Sequence, residues 1–333
     1  MTVRIDVVTI CFAEELKMLQ MQARSIRRHM EQGLLGSYRI IINDVERSEE
    51  CVQFIEQVIK PELGWVASRV KLSLGNTIDP SLRGSGWLTQ QVLKLAVARL
   101  VSTDHYLVLD AKNHFIAPVS RATLFRESIP RARLAVPTRN QRKWLDASLA
   151  YFELGREHGT GQVGVTVTPY LMITAVCLSL LTEVERRGDR LTDLFSRPEP
   201  RPSEFFLYYS YMQAFHGGYQ SSYCCDMLAQ ATLFTKHPKT DAAFEAIMER
   251  TFHPDCWTFA VHRNRLSRLA PPQMKRVVAV WKEAQLIEES EEDWFTTLYR
   301  GEDMHGLTSP SPPSLLHRVA TAWKRWMRMP TPL

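Results

Sequence analysis

The stretch "YLVLDAKNHF" (106–115) carries apolar residues into an acid, Asp110, and follows it with Ala111, Lys112, Asn113 and His114. A buried strand ending in a carboxylate is a common seat for a metal-bound phosphate, because Mg²⁺ and Mn²⁺ favour oxygen ligands. Where a second carboxylate would stand, two residues further on, this chain has Lys112. On residue types alone the stretch is a metal site, a damaged metal site, or a turn that Asp110 caps.

Three other stretches carry chemistry-bearing residues. In "GWLTQQVLKL" (86–95), Trp87, Gln90, Gln91 and Lys94 fall on neighbouring helical turns, and Gln90 and Lys94 are an i, i+4 pair. Leu88, Val92, Leu93 and Leu95 are expected to pack inward. The Gln–Lys pair suits hydroxyls and phosphate; equally, this is a solvated helix face with Trp87 as a core anchor. "RPSEFFLYYSYM" (201–212) has the form of a helix start, with Ser203 as N-cap and Glu204 in the first turn, where the dipole favours a carboxylate. "WTFAVHRNRLSRL" (257–269) ends a short strand at His262-Arg263. Arginine's planar fork fits phosphate, while the plainer reading is a satisfied imidazole beside a solvated helix start.

These residues are positioned by a repeating pattern. "RIDVVTICF" (4–12) reads as a buried strand, and Leu16, Leu19, Ala23 and Ile26 then repeat at helical spacing. "YRIIINDV" (38–45), a helix at "CVQFIEQVI", "RVKLSL" (69–74), the helix after Trp87 and "HYLVLD" continue the alternation. It predicts an α/β fold with a mostly parallel sheet flanked by helices. In such sheets ligands sit beyond the carboxyl ends of the strands, where Asp44, Asp110 and the residues after the first strand would lie. The second half reads as more helical: 170–187, 203–215, 241–250 and 271–286, with short strands near 132–136, 163–167, 231–235 and 257–261. "HGTGQVG" (158–164) reads as a flexible loop, since it lacks the Lys-Ser/Thr of a phosphate-binding loop.

The ordered set "DVVTICFAEELKMLQMQARSI", "GWLTQQVLKLAVA", "YLVLDAKNHFIAP" and "RPSEFFLYYSYM" resembles a little-characterised family of bacterial glycosyltransferase-like proteins with a GT-A (Rossmann-like) fold, across most of residues 4–287. The resemblance implies transfer of a sugar from a nucleotide-sugar donor to a glycan or lipid-linked acceptor, in surface polysaccharide or lipopolysaccharide synthesis. In such folds an Asp-x-Asp element holds a divalent cation (Mn or Mg) on the donor diphosphate. Asp110 matches its first acid, and Lys112 departs from the second. Either Asp110 still holds a metal with Asn113 or His114 helping, or Lys112 meets the diphosphate itself. The resemblance further implies that Thr9, Phe12 and Asp44 receive the nucleotide, and that His262 and Arg263 reach the diphosphate or metal. Gln90, Gln91 and Lys94 join the donor side. Glu204 is expected to act at the acceptor or as general base, with Tyr208, Tyr211 and Trp87 facing the acceptor sugar. The rival expectation, favoured by Lys112, is a non-catalytic protein of this fold that binds a glycan or a partner.

The 333 residues carry a net charge of +5, and four basic residues after Asp303 (Arg318, Lys324, Arg325, Arg328) account for most of it, leaving +1. A nearly neutral body disfavours nucleic acid as a partner. The expected organisation is a 1–307 transferase domain, with a donor half (1–130) and an acceptor half (131–307), then a Pro/Ser linker and terminal helix (308–333). Within that helix, "SLLHRVATAWKRWMRM" (314–329) sets an apolar arc with Trp323 and Trp326 against a basic face, which suits an anionic membrane surface. The N-terminus starts as a strand without the regions of a signal peptide, and the six cysteines show no CxxC pair. A cytoplasmic protein with reduced thiols, peripheral on the inner face of the cell membrane, is therefore expected.

Overall fold

The first strand, β1 (Ile5–Cys11), is buried at every position, as a central strand covered on both faces must be. The computed structural model describes residues 3–82, 86–227 and 230–303. Here β1 pairs in parallel with β2 (Leu35–Ile42) on one side and with β4 (His105–Asp110) on the other. β3 (Val70–Leu74) extends the sheet beyond β2, again in parallel. An antiparallel edge strand, β6 (Tyr170–Ile173), closes the far side against β4. The order β3-β2-β1-β4-β6 makes a mostly parallel five-stranded sheet, so the expected α/β architecture stands.

This order places a reversal between β1 and β4. From β1 the chain first winds outward to β2 and β3, then returns to add β4 on the opposite side of β1. In open α/β sheets such a reversal sends the connections to opposite faces and leaves a crevice at the strands' carboxyl ends. Ile10 lies beside Asp110 in the register, so the end of "YLVLDAKNHF" sits at that crevice. A second sheet, β5 (Asn113–Phe115), β8 (Thr258–Val261) and β7 (Gln230–Leu233), begins after only two intervening residues. β8 runs antiparallel to β5 with Ala260 opposite Asn113. The turn at 110–113 therefore joins the two sheets.

α1 (Leu16–His29) buries Leu16, Leu19, Ala23 and Ile26, the periodic residues of the sequence. Its last turn carries Arg27, Arg28 and His29, cations that the helix dipole favours there. α2 (Ser48–Phe54) follows β2 and continues as a π turn over Ile55–Ile59. α3 (Trp87–Ala96) starts after Gly86, whose φ of 117° is open to glycine and strained for other residues. α4 (Arg139–Tyr151) begins at Thr138, which accepts from the Gln141 amide. α5 (Thr174–Arg186), α6 (Glu204–Phe215), α7 (Asp241–Thr251) and α8 (Pro271–Glu283) complete the more helical half.

Two sequence expectations are corrected. The apolar run from 170 is a strand turning into a helix at Thr174, because Tyr170–Val108 pairing holds its first four residues on the sheet edge. Short apolar runs do not by themselves distinguish the two states. Residues 132–136 and 163–167 form no strand; a single antiparallel bridge joins Ala135 to Val163. The described residues up to Tyr299 make one compact unit. The 314–329 helix lies outside the described residues.

Candidate functional site

The crevice is built on a glutamine. Gln22 of α1 is fully buried, and its side-chain oxygen accepts from Thr9 Oγ1 (2.7 Å) and the Tyr38 hydroxyl (2.9 Å). Its nitrogen donates to the carbonyls of Asp110 (2.7 Å) and Asn113 (3.0 Å). One side chain thus ties β1, β2 and α1 to both ends of the turn that follows β4. The Asp110 amide donates to Asn113 Oδ1 at 2.8 Å and closes that turn. Gln22 carries a signal in the sequence: it is a polar residue set into the apolar stripe of α1.

Asp110 projects from this pinned turn between two ammonium groups. Lys94 Nζ lies 3.1 Å from Oδ1, and Lys112 makes a close ion pair with Oδ2. Lys94 comes from α3, which is fastened to β4 where the Tyr106 hydroxyl donates to the Lys94 carbonyl at 3.0 Å. It is only 5% exposed and also donates to Glu204 Oε1 at 3.3 Å. Glu204 opens α6, and its amide donates to Gln91 Oε1 at 3.3 Å. Gln91 and Lys94, adjacent on one helix face, thus hold the backbone and carboxyl of the same glutamate.

The protonation pattern follows from this crowding. Burial would raise Asp110, but Lys112 and Lys94 outweigh it and hold it well below the usual carboxylate range. Burial would lower Lys94, yet Asp110 and Glu204 raise it. Glu204 is 6% exposed, and burial raises its proton affinity against the pull of Lys94. Of the two carboxyls on Lys94, Asp110 stays charged because a second lysine serves it, and Glu204 is the one that takes a proton more readily.

The rim of β1 faces the same spot. Glu15, which the sequence reading passed over, is raised to about 7, with burial as the largest cause and Arg263, Lys112 and Asp110 as its charged neighbours. Arg263 Nη1 lies 3.5 Å from Glu14 and 3.8 Å from Glu15, with its guanidinium 5.8 Å from the Phe12 ring centre. His262 follows β8; its Nδ1 accepts the Asn264 amide at 3.2 Å and lies 2.9 Å from Thr235 Oγ1. That pattern assigns its proton to Nε2. Burial, then Lys112 and Arg263, push it down to about 4, so it is neutral at pH 7. Asp44 accepts from the amides of Ala13 (3.3 Å) and Arg47 (3.2 Å) and shapes the exit of β1.

Asp110, Lys112, Lys94, Gln91, Glu204, His262, Arg263 and Phe12 therefore converge, and Gln90 is half-buried one turn before Lys94. Five of the expected residues are committed elsewhere in the fold. Thr9 is fully buried and its hydroxyl is spent on Gln22, so it cannot meet a nucleotide. Asn113 is 1% exposed and closes the turn. Tyr208 is in the core, bonded to Tyr223 at 2.9 Å, and Tyr211 is buried against Phe152 and Phe215, so neither presents a face to a sugar. His114 is likewise buried, 3.2 Å from the Met18 carbonyl. Trp87 is instead exposed, at 44%, and not a core anchor. It pairs with Trp144 at 5.2 Å and lies under Arg201 at 5.8 Å.

A divalent cation does not fit this donor set. Among the described residues no group of three or more His, Cys, Asp and Glu is placed to hold a metal ion. Both oxygens of Asp110 face ammonium groups, Asn113 Oδ1 holds the Asp110 amide, and His262 Nδ1 holds Asn264.

An open, mostly parallel sheet flanked by helices, with charged side chains gathered at its reversal between β1 and β4, defines an α/β protein. The chain belongs to a family of unknown function, DUF6492, whose profile matches residues 6–294. No curated protein sequence matches it. Similar solved structures include the galactosyltransferase LgtC in complex with donor and acceptor sugar analogues. That likeness has 10% identity and a TM-score of 0.46, over 87% of this chain and 99% of that one. The apo glycosyltransferase GlyE of Streptococcus pneumoniae TIGR4 has 15% identity and a TM-score of 0.40, over 88% of this chain and 64% of that one. Mouse xyloside xylosyltransferase 1 has 11% identity and a TM-score of 0.41, over 78% and 97%.

Proposed function

We propose that this protein is a glycosyltransferase of GT-A-like fold that moves a sugar from a nucleotide-sugar donor to a glycan or lipid-linked acceptor in bacterial surface polysaccharide or lipopolysaccharide synthesis. The observation that carries the reading is Asp110 held between Lys94 and Lys112 at the sheet reversal, with the proton-accepting Glu204 on the same lysine. In the reaction the bond between the anomeric carbon and the β-phosphate oxygen breaks, and its electron pair stays on the leaving diphosphate. Lys112 and Arg263 would meet that charge as it develops. The acceptor hydroxyl oxygen bonds to the anomeric carbon and gives its proton to a carboxylate, for which Glu204 is the candidate.

The acceptor's path is read along α3. Arg201 lies over Trp87 and Glu204 meets Gln91 and Lys94, so the segment before α6 runs beside α3 from its start toward the charge cluster. Trp87 and Lys94 are seven residues apart, about 10 Å along a helix. At the Trp87 end a cleft of about 630 Å³ is lined by Ser81, Trp87, Arg190, Thr192 and Asp193. Aromatic faces with alternating donors and acceptors suit a sugar chain.

Donor hydrolysis tests the reading: release of nucleoside diphosphate from a panel of UDP-, GDP- and CDP-sugars, with and without membrane glycolipid, is expected for at least one donor. Glu204→Gln is expected to slow transfer by about 10²–10⁴-fold while diphosphate binding persists. No turnover of any donor favours the rival, a non-catalytic glycan- or partner-binding protein, for which Lys112 speaks.

No helix among the described residues is long and apolar enough to cross a membrane. The basic amphipathic pattern of 314–329 supports a peripheral place on the inner face of the cell membrane. Deleting 308–333 is expected to abolish sedimentation with anionic liposomes, and retained binding would refute the tail as anchor.

A further inference from the structure

The misfit between this crevice and a divalent cation has a positive counterpart. Asp110 is shared by two lysines of different character. Lys94 is nearly closed from solvent and also bound to Glu204, so it is a fixed part of the fold. Lys112 keeps 17% of its side chain exposed and belongs to the turn itself. Asp110 can therefore release Lys112 to an incoming anion and remain paired with Lys94 at 3.1 Å. A lone Asp–Lys pair could not do this without leaving a carboxylate uncompensated in a nearly closed site.

A second cation converges on the same place. Arg263 reaches across the rim of β1 to Glu14 and Glu15, 3.5 and 3.8 Å away. Lys112 follows β4 and Arg263 follows β8, and both cations lower the proton affinity of Glu15 and of His262. His262, neutral at pH 7, adds an Nε2–H donor without adding a carboxylate-like ligand.

We infer that this crevice binds a nucleoside diphosphate without a divalent cation, with Lys112 and Arg263 supplying the charge and Asp110, clamped by Lys94, aiming Lys112. The inference rests on the nucleotide-sugar reading above and deepens it. A lysine at this position does what a cation does for the leaving group: it neutralises the diphosphate. It also makes Asp110 unavailable as a metal ligand, because a cation at that carboxylate would sit against two ammonium groups.

Calorimetric titration of the full chain with UDP, GDP, CDP and ADP, in excess EDTA and then in Mn²⁺ or Mg²⁺, tests this. At least one diphosphate is expected to bind in EDTA, with an affinity that Mn²⁺ changes by less than about threefold. Lys112→Met should weaken binding about tenfold or more, and Lys112→Arg should retain most of it. Lys112→Asp is expected to lose binding in EDTA. Thermal melts of each variant distinguish lost binding from lost folding, and Lys112→Arg keeps the test valid if the others unfold. Binding by the natural chain only when Mn²⁺ or Mg²⁺ is added would overturn the inference and leave the donor reading standing. No binding of any diphosphate under either condition would overturn both.

Discussion

Replacing Lys94 with methionine is expected to lower the unfolding free energy by about 3–5 kcal/mol, the usual cost of removing one partner from a buried ion pair. Methionine fills much of the lysine's volume, so the loss reports charge and not a cavity. Lys94 sits 5% exposed between Asp110 and Glu204, and no solvent can replace it there. Asp110 would keep Lys112, whereas Glu204 would lose its ion-pair partner. Combining Lys94→Met with Glu204→Gln is therefore expected to restore part of the loss, since the amide is neutral and keeps its shape. Guanidinium denaturation, read as a change in midpoint at constant slope, measures both. A single-mutant loss below about 1 kcal/mol would mean that the triad is not a closed ion-pair network.

Glu15→Gln is expected to stabilise the protein at alkaline pH and to leave it unchanged at acid pH. The carboxyl is raised from its usual 4.5 to about 7, burial being the largest cause and Arg263 and Lys112 only partly offsetting it. The folded chain thus holds a proton that the unfolded chain has lost between these values. Stability falls as pH rises from about 4.5 to about 7, and the whole cost is present above that. The shift corresponds to about 2–3 kcal/mol once the 17% exposure of the side chain is allowed for. One oxygen of Glu15 is buried without a hydrogen-bond partner among the described residues, consistent with a group that folds more easily when protonated. Melting curves at pH 5 and pH 8.5 on both proteins check this: equal gains at the two pH values would refute the assignment. Because Glu15 borders Lys112 and Arg263, the same variant separates electrostatic tuning of the crevice from its stability.

Much of the fold is legible as local pattern. The strands at 4–12, 38–45 and 105–110 announce themselves by largely apolar runs, 69–74 by alternation of polar and apolar residues, and α1 and α3 by their helical spacing. Asp110 is legible as a site residue because an acid at the end of a buried strand has a restricted set of roles. The misreadings have a common cause. Position in a pattern points to Thr9, Tyr208 and Tyr211, and burial, which is a property of three-dimensional packing, commits all three to the core. The run at 170 reads as helix because its apolarity is the same in either state until pairing with β4 decides it.

Residue order alone sets the alternation of strand and helix, the charge balance, and the substitution of Lys112 for a second acid beside Asp110. Those depend on neighbours within a few residues, where periodicity and side-chain type act directly. Long-range packing sets which cations Asp110 meets and what they leave free. Lys94 and Glu204 are 110 residues apart in the chain and touch only because α3 and α6 meet beside β4. Gln22 is bonded to carbonyls 88 and 91 residues away because α1 packs over the joint between two sheets. Local patterns specify which face of an element is apolar. The sheet order specifies which polar residues are then forced together out of water, where each charge must find a partner or change its proton affinity.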